Sequence, residues 1–590
     1  MNIRKVRFSC LFLYKMMAIL QPIHNIAEIC ARKNVKTAIL CPGSRSAALT
    51  ISMARHPAIK TYSISDERSA GFIGLGIAQS TGETVSLVCT SGTAAYNLAP
   101  AVAEAYFQEI PLLVLTADRP AEWIHQYDGQ TIYQENIFGK HVKKSFQLPS
   151  DYSHPDAVWH IERVVNEAIN LSQAQPKGPV HINVPIREPF YPAEGEVVQF
   201  NRHVRIIEQI AATKKLSNSF FETFYDIWNQ SGRKLIIVGQ QQNEKLGEIL
   251  KNISDEFGIP VLSDVISNAG FEGAITAHDV FLSSKNEAFL ESLAPDLLIT
   301  CGKSVISKNL KLFIRKYQPR FHFHVQENPD LIDPFQTLTH KLEVQEQYFF
   351  ETLFSDLDIQ KFKEGDDDDD SSYLARWQAA DQLAGVKLGK FLADTTFSEF
   401  KALKTTIEQL PEHSVFHLGN SMPVRYANLI GLPYNTHTLV FANRGTSGID
   451  GILSSAVGNA LATDKLVVCL IGDVSFFYDR NAFWNNYLPA NLRVVLVNNQ
   501  GGNIFRIIDG PNRQAELKDY FVTHQNLNAK RTCADAGITY MAATQEQELK
   551  ALLPDFYAEA QKPKLLEIFV DGEVSTQVFR DYKNLFADFS

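Results

Sequence analysis

Short apolar runs alternate with longer stretches of helical spacing along most of this chain. Between about residues 19 and 185, TAILCPG, TYSISD, TVSLVCTSG, PLLVLTAD and PVHINVP read as strands. Their near-continuous apolar character is that of strands buried on both faces of a parallel sheet. Between them, ERSAGFIGLGIAQSTG and TAAYNLAPAVAEAYFQ read as helices rich in small residues, able to lie close to a sheet. The same alternation returns in a middle stretch with KLIIVGQ, DLLITCGKS and FHFHV. It returns again towards the C terminus with SVFHLGN, TLVFAN, KLVVCLIGD, RVVLVNN and KLLEIFVDG. Such alternation predicts βαβ units. The expectation is an α/β chain of three parallel-sheet domains, over residues 17–198, 199–363 and 377–590. Residues 364–376, with the run EGDDDDDSS, read as a solvated linker because adjacent aspartates repel one another.

The first and third regions echo each other. SDERSAGFIGLGIAQSTGETVSLVCTSG and ANRGTSGIDGILSSAVGNALATDKLVVCLIGD both place an Arg-bearing turn before a small-residue helix, then a buried strand ending in Gly. The pattern suits two copies of one fold, and equally suits shared βαβ physics.

Composition narrows the field. A length of 590 residues allows roughly three or four domains. A net charge of −10 excludes binding to nucleic acid through a general basic field, though not a local basic pocket. No apolar run is long enough to cross a bilayer. The seven cysteines are scattered, form no C-x-x-C and sit partly inside strand-like runs, as buried thiols of a reducing, cytoplasmic protein do. The start, MNIRKVRFSCLFLYKMMAIL, imitates a signal peptide, but Lys15 interrupts its apolar stretch and no small-residue cleavage site follows. Met16 or Met17 is therefore an alternative start to Met1. The middle region lacks G-x-G-x-x-G, so dinucleotide binding has no support there.

Two polar pairs carry the chemistry. LVVCLI leads into Gly472-Asp473, and RVVLV leads into Asn498-Asn499. Each pair falls at the carboxyl end of a predicted parallel strand, where open α/β sheets bind ligands. An Asp oxygen beside an Asn oxygen suits Mg²⁺, which takes few protein oxygens together with substrate phosphates. Gly472 lets a phosphate approach the backbone, and the helix start that follows adds its dipole. The competing reading is an ordinary strand–helix–strand unit with turn-forming residues.

A Gly-Asp pair followed by Asn-Asn resembles the diphosphate-binding motif of thiamine diphosphate (ThDP) enzymes. The resemblance implies a fold of pyrimidine-binding, central and diphosphate-binding domains, in that order. It implies Mg²⁺ (or Mn²⁺) held by Asp473, Asn499 and the Gly501 carbonyl, with Gly472, Val474 and Ser475 at the diphosphate. Val474 departs from the Gly found in many relatives. Glu67, in SISDERSAGF, matches the carboxylic acid that serves the pyrimidine N1′ and is the implied catalytic residue; on its own it also suits the first turn of a helix. Ile449 and Ile504 match apolar residues against the cofactor. The family pattern also implies that the site needs two protomers, Glu67 serving a cofactor whose metal Asp473 of the partner copy holds.

CPGSRSAALT, TSGTAAYNLAPAVAEA, LTADRP, GNSMPVR, NRGTSGIDG and NNQGGNIF occur together and in order. This set resembles the 2-succinyl-5-enolpyruvyl-6-hydroxy-3-cyclohexene-1-carboxylate (SEPHCHC) synthases of menaquinone synthesis over nearly the whole chain. The resemblance implies a transferase that decarboxylates 2-oxoglutarate and adds the succinyl-carbanion equivalent to isochorismate in a 1,4-addition. Both substrates are dianions, which calls for arginine forks in a dry pocket. Ser421 and Arg425 then match the residues for the distal carboxylate of the succinyl part. Ser44, Arg45, Gln130, Arg444 and Lys308 match those for isochorismate, and Phe505 adds an apolar wall with Ile504. Asn309 replaces an Arg that follows the Lys in the family, and Gly129 stands where an Asn often precedes the Gln. The rivals are a pyruvate-using, acetolactate-synthase-like carboligase and a non-catalytic scaffold on the same fold. The expected partners are these small molecules and further copies of the chain, as a dimer or tetramer, without nucleic acid or membrane.

Overall fold

The computed structural model describes residues 20–192, 197–356, 370–433 and 436–589. Their Cα positions group into two compact units. The first gathers residues 20–211, 443–464 and 478–489; the second gathers 212–442, 465–477 and 490–589.

The first unit holds six strands: β1 (Thr37–Leu40), β2 (Lys60–Ser63), β3 (Val85–Cys89), β4 (Leu112–Asp118), β5 (Ser145–Gln147) and β6 (Val180–Pro185). They form one parallel sheet in the order β2-β1-β3-β4-β6-β5. Every residue of β3, β4 and β6 is buried, as continuous apolar runs require. The helix Glu67–Thr81 follows β2. Asp66 caps it by accepting from the Ser69 N–H at 3.1 Å, and Gly82 ends it in the left-handed conformation. Its small residues meet the helix Ile452–Ala462 backbone to backbone. A Cβ on Gly76 would stand 2.0 Å from the Ser455 carbonyl oxygen, and one on Gly458 would stand 2.0 Å from that of Ile73. The stretch read as one helix over TAAYNLAPAVAEAYFQ is two, Thr93–Asn97 and Ala99–Gln108. Pro100 lies in the first turn of the second, where a missing N–H costs nothing.

The second unit holds two parallel sheets. Five strands, β7 (Lys234–Val238), β8 (Val261–Ser263), β9 (Leu297–Cys301), β10 (Phe321–Val325) and β11 (His340–Leu342), run in the order β11-β10-β9-β7-β8. Six more, β12 (Val415–Leu418), β13 (Leu439–Phe441), β14 (Val467–Gly472), β15 (Leu492–Asn498), β16 (Thr539–Ala543) and β17 (Lys564–Phe569), run in the order β13-β12-β14-β15-β17-β16. Counted from its own first strand, this last sheet has the same order as the sheet of the first unit. The echo between the two stretches of sequence therefore has a counterpart in topology. A single apolar core joins the two sheets of the second unit, through residues such as Leu298, Phe313, Trp377, Phe416 and Leu566.

Of the stretch read as a linker over 364–376, only residues 370–376 are described, and they are helical. Up to residue 369 it lies outside the described residues, as do residues 1–19 with the alternative starts and Cys10. From Asp370 the chain is helical, in Asp370–Asp394, and Tyr373 and Trp377 are buried in the shared core. Periodic apolar burial outweighs charge repulsion once the aspartates end. The six described cysteines are buried, and burial pushes the Cys30 and Cys533 thiols up to about 12. No helix among the described residues is long and apolar enough to cross a membrane.

Candidate functional site

The two polar pairs sit where the sequence places them in the third sheet. β14 ends at Gly472 and the adjacent β15 at Asn498, with Gly472 opposite Val497 in the register. β12, on the other side of β14, ends at Leu418 and leads into Gly419-Asn420-Ser421. The order reverses direction around β12 and β14, which makes this edge a switch point of the sheet.

Asp473 opens the helix Asp473–Asp479 and is only 2% exposed. Its Oδ1 accepts from the Val474 N–H at 2.8 Å and its Oδ2 from Gln525 Nε2 at 3.0 Å. Burial pushes its carboxyl up to about 6, above the usual carboxylate range. Asn498 is held by its own contacts. Its Nδ2 donates to Glu567 Oε1 at 2.7 Å and to the Leu527 carbonyl at 2.9 Å, and its Oδ1 accepts from the Gln500 N–H at 3.1 Å. Asn499 donates its Nδ2 to Glu399 Oε1 and accepts at Oδ1 from the Gly501 N–H at 3.0 Å. The turn that does this puts Gln500 at φ 64°. Gly501 is required by space, since a Cβ there would lie 2.6 Å from the Val522 carbonyl oxygen. Gly472 is the opposite case: a Cβ there would meet nothing within 4 Å, so its face is open to a ligand.

No cluster of three or more His, Cys, Asp or Glu suited to a metal occurs among the described residues. The donors that the family pattern names here are instead a buried carboxylate, an amide oxygen and a backbone carbonyl. That all-oxygen set fits a small hard dication. A dication would also relieve the desolvation that raises Asp473.

Comparison with known proteins gives the family. The family described as thiamine pyrophosphate enzyme, N-terminal TPP binding domain, matches residues 23–142. The middle domain of thiamine pyrophosphate enzymes matches 208–363, and their C-terminal TPP binding domain matches 424–568. A SEPHCHC synthase of Cytophaga hutchinsonii is 42% identical over 570 residues, covering 96% of this chain and 98% of the relative. Those of Christiangramia forsetii and Flavobacterium johnsoniae are each 36% identical, covering 95% of this chain and 98% and 97% of the relatives. The chain belongs to the SEPHCHC synthase family. It is a thiamine pyrophosphate enzyme by all three domain matches.

The remaining residues that the family pattern singles out fall in both units. In the first, Glu67 is half-buried at its helix start, and the neighbouring Arg68 donates to the Tyr478 carbonyl at 2.6 Å while lying over the Tyr478 ring. Ser44 is exposed, but Arg45 is buried. Its Nη1 donates to the Ile186 carbonyl at 3.1 Å, its guanidinium lies 4.3 Å from the Phe190 ring centroid, and burial followed by nearby Arg119 depresses its pKa. Gln130 is exposed at φ 57°, its backbone beside Gly92. Gly129 gives its carbonyl to Arg119 Nε at 3.1 Å. Arg444 and Ile449 lie half-buried in one loop.

In the second unit, Ser421 sits at φ 73° just before the helix Met422–Ile430, and Arg425 Nη1 folds back onto the Ser421 carbonyl. These two residues are therefore together. Ile504 and Phe505 share the short helix Ile504–Ile507 with partial exposure. Val474 is partly exposed and Ser475 buried, both in the helix of Asp473. Lys308 is exposed at the start of the helix Lys308–Lys316. Asn309, beside it, turns inward and donates Nδ2 to the Asp279 carbonyl at 2.8 Å, so it does not replace the missing Arg.

The sequence reading missed Glu399 and Gln525. Glu399 is 2% exposed at the start of the helix Glu399–Glu408, with its N–H bonded to Ser575 Oγ at 3.1 Å. Burial, with Asp473 nearby, pushes its carboxyl up to about 7. A Ser-Glu pair at a helix start reads locally as a cap, so only the fold brings Glu399 to Asn499. Gln525 lies in a loop without periodicity and carries no local signal.

Proposed function

We propose that this protein is a ThDP- and Mg²⁺-dependent carboligase that decarboxylates 2-oxoglutarate and adds the succinyl unit to isochorismate, giving SEPHCHC in the cytoplasm. The observation that carries the reading is the buried Asp473 beside Asn499 at the ends of adjacent strands, in a chain 42% identical to a relative of that name. Bound there, ThDP supplies the electron sink that makes loss of CO₂ from a 2-oxo acid possible.

The protein's own residues supply the rest. Asp473, Asn499 and the Gly501 carbonyl would hold the dication, and Gly472 with Val474 and Ser475 would leave room for the diphosphate. Glu67 would be the carboxyl group that serves the pyrimidine N1′. Ile449 and Ile504 would pack against the cofactor, and Phe505 would help keep water from the reacting carbons. Arg425 and Ser421 hold the distal carboxylate of the succinyl part, which pyruvate lacks. Ser44, Arg45, Gln130, Arg444 and Lys308 take isochorismate, whose two carboxylates need cations more than any other group does. The site is completed by a second copy of the chain.

The test is product analysis with 2-oxoglutarate, isochorismate, ThDP and Mg²⁺ together, against pyruvate in place of 2-oxoglutarate. SEPHCHC formation is the expected result. Preferred turnover of pyruvate would move the protein to the acetolactate-synthase-like class, and absence of ThDP binding by calorimetry would make it a scaffold.

A further inference from the structure

The loop from Asn443 to Asp450 carries two of the residues used above, Arg444 and Ile449. Three of its eight residues are Gly or Ser at positions of little local preference, and Ser447 stands at φ 61°. A carboxylate from elsewhere in the first unit holds it. Glu104, on the helix Ala99–Gln108, has no exposed surface. Its Oε1 accepts from the Gly445 N–H at 2.8 Å. Its Oε2 accepts from the Thr446 N–H at 2.7 Å and from Thr446 Oγ1 at 2.5 Å. Gln108, one turn on, donates Nε2 to Glu104 Oε1 and itself accepts from Gln79 Nε2 at 3.0 Å. Gln79 lies on the helix that Glu67 begins.

Space agrees with the hydrogen bonds. A Cβ on Gly445 would lie 2.9 Å from the Glu104 carbonyl oxygen, 3.0 Å from Phe107 Cβ and 3.1 Å from Glu104 Oε1. Only glycine lets the loop approach this helix so closely. Two consecutive backbone N–H groups are thus pinned by the two oxygens of one buried carboxylate, a geometry an amide cannot match, because its NH₂ would face a donor.

We propose that Glu104 is a positioning residue for the reaction. It sets the loop so that Arg444 and Ile449 project into the site, and through Gln108 and Gln79 it ties that loop to the helix bearing Glu67. This rests on the reading of Arg444 as an isochorismate residue. Fixing a binding group in place is worth as much as supplying it, since small displacements cost rate steeply.

The experiment compares Glu104→Gln, Thr446→Val and Arg444→Ala with the parent, all loaded with ThDP and Mg²⁺. Hydrogen exchange is read by mass spectrometry on peptides covering 443–451 and 452–462, and steady-state kinetics on both substrates. In Glu104→Gln, exchange in 443–451 should rise about tenfold or more while 452–462 stays unchanged, as expected when a charged acceptor is lost. The KM for isochorismate should rise about tenfold, with the KM for 2-oxoglutarate within about twofold of the parent. Thr446→Val, which loses one hydroxyl donor only, should show a smaller change in both readouts. Parent-like exchange in 443–451 and parent-like isochorismate KM in Glu104→Gln would overturn the proposal. Equal acceleration in both peptides would also overturn it, since that marks a general loss of packing. If Arg444→Ala leaves the isochorismate KM unchanged while the exchange result holds, the loop is clamped by Glu104 but the substrate role of Arg444 fails.

Discussion

At the scale of single residues, the two carboxylates proposed for the site have sharply different surroundings. Asp473 is buried and its carboxyl is raised to about 6, whereas Glu67 is half-buried at a helix start. Glu67→Gln keeps the shape of the side chain but removes the acid. Turnover should fall about a hundredfold or more, the size of a general-acid contribution, with ThDP affinity unchanged. Near-parent turnover in a product assay would remove Glu67 from the mechanism. His417 offers a second residue-scale test, of stability alone. It has no exposed surface on β12, stacks on Phe441 with ring centroids 5.2 Å apart, and neither ring nitrogen finds a hydrogen-bond partner among the described residues. Burial drives its pKa down to about 3. The folded protein then keeps this imidazole neutral while the unfolded chain protonates it below about 6.5. Stability is therefore intact above pH 6.5 and is lost as pH falls towards 3, by about 1.4 kcal/mol per pH unit from this group. His417→Phe removes that loss and also removes two unpaired polar atoms. Thermal melts should show the variant at least as stable as the parent at pH 7.5, with its advantage growing by about 2 kcal/mol at pH 5. An advantage that does not change with pH would show the imidazole to be charged or hydrated in the fold.

At the scale of elements, most strands were legible because they are buried on both faces and so read as apolar runs. β3, β4, β14, β15 and β17 are of this kind. The strands that escaped notice are short or lie at sheet edges. β5, β8 and β11 have three residues each, and β16 is an edge strand exposed along much of its length, so none produces a run to read. The positions of the Gly-Asp and Asn-Asn pairs were legible because strand ends set them. Glu399, Gln525 and Glu104 were not, because their partners are far away in sequence. Helix contact was half legible. Small residues in ERSAGFIGLGIAQSTG and GILSSAVGNALA announced close approach, but not that the two helices meet each other. That contact makes a sharp prediction. Gly458→Ala would place a methyl carbon 2.0 Å from the Ile73 carbonyl oxygen, a rigid backbone atom. The two helices must move apart, so the variant should lose about 1–3 kcal/mol or more in chemical denaturation, the usual cost of overpacking. Gly385→Ala is the control, because nothing lies within 4 Å of its Cβ and alanine is the better helix former. Equal stability of the two variants would contradict the close crossing.

At the scale of the whole molecule, two sheets with one strand order frame the question of how the site is completed. The family pattern assigns the acid and the metal clamp of one site to different copies of the chain. That assignment can be tested without any structure of an assembly. Glu67→Gln removes the acid from one kind of chain, and Asp473→Ala removes the clamp from the other. Each homo-oligomer should be nearly inactive. In a mixed dimer, one site receives both lesions and the other receives none, because the intact Glu67 of one copy meets the intact Asp473 of its partner. Random pairing makes half the dimers mixed, and half of their sites intact. Co-expression of the two variants should therefore restore about a quarter of the parent activity per site. If both residues of each site came from a single chain, every site in the mixture would carry one lesion. Activity would then stay at the level of the single variants, and the shared site would have to be abandoned. The same mixture also separates assembly from chemistry. Recovery that disappears on dilution and returns on concentration marks a site lost with the partner, whereas recovery independent of concentration marks a stable pair.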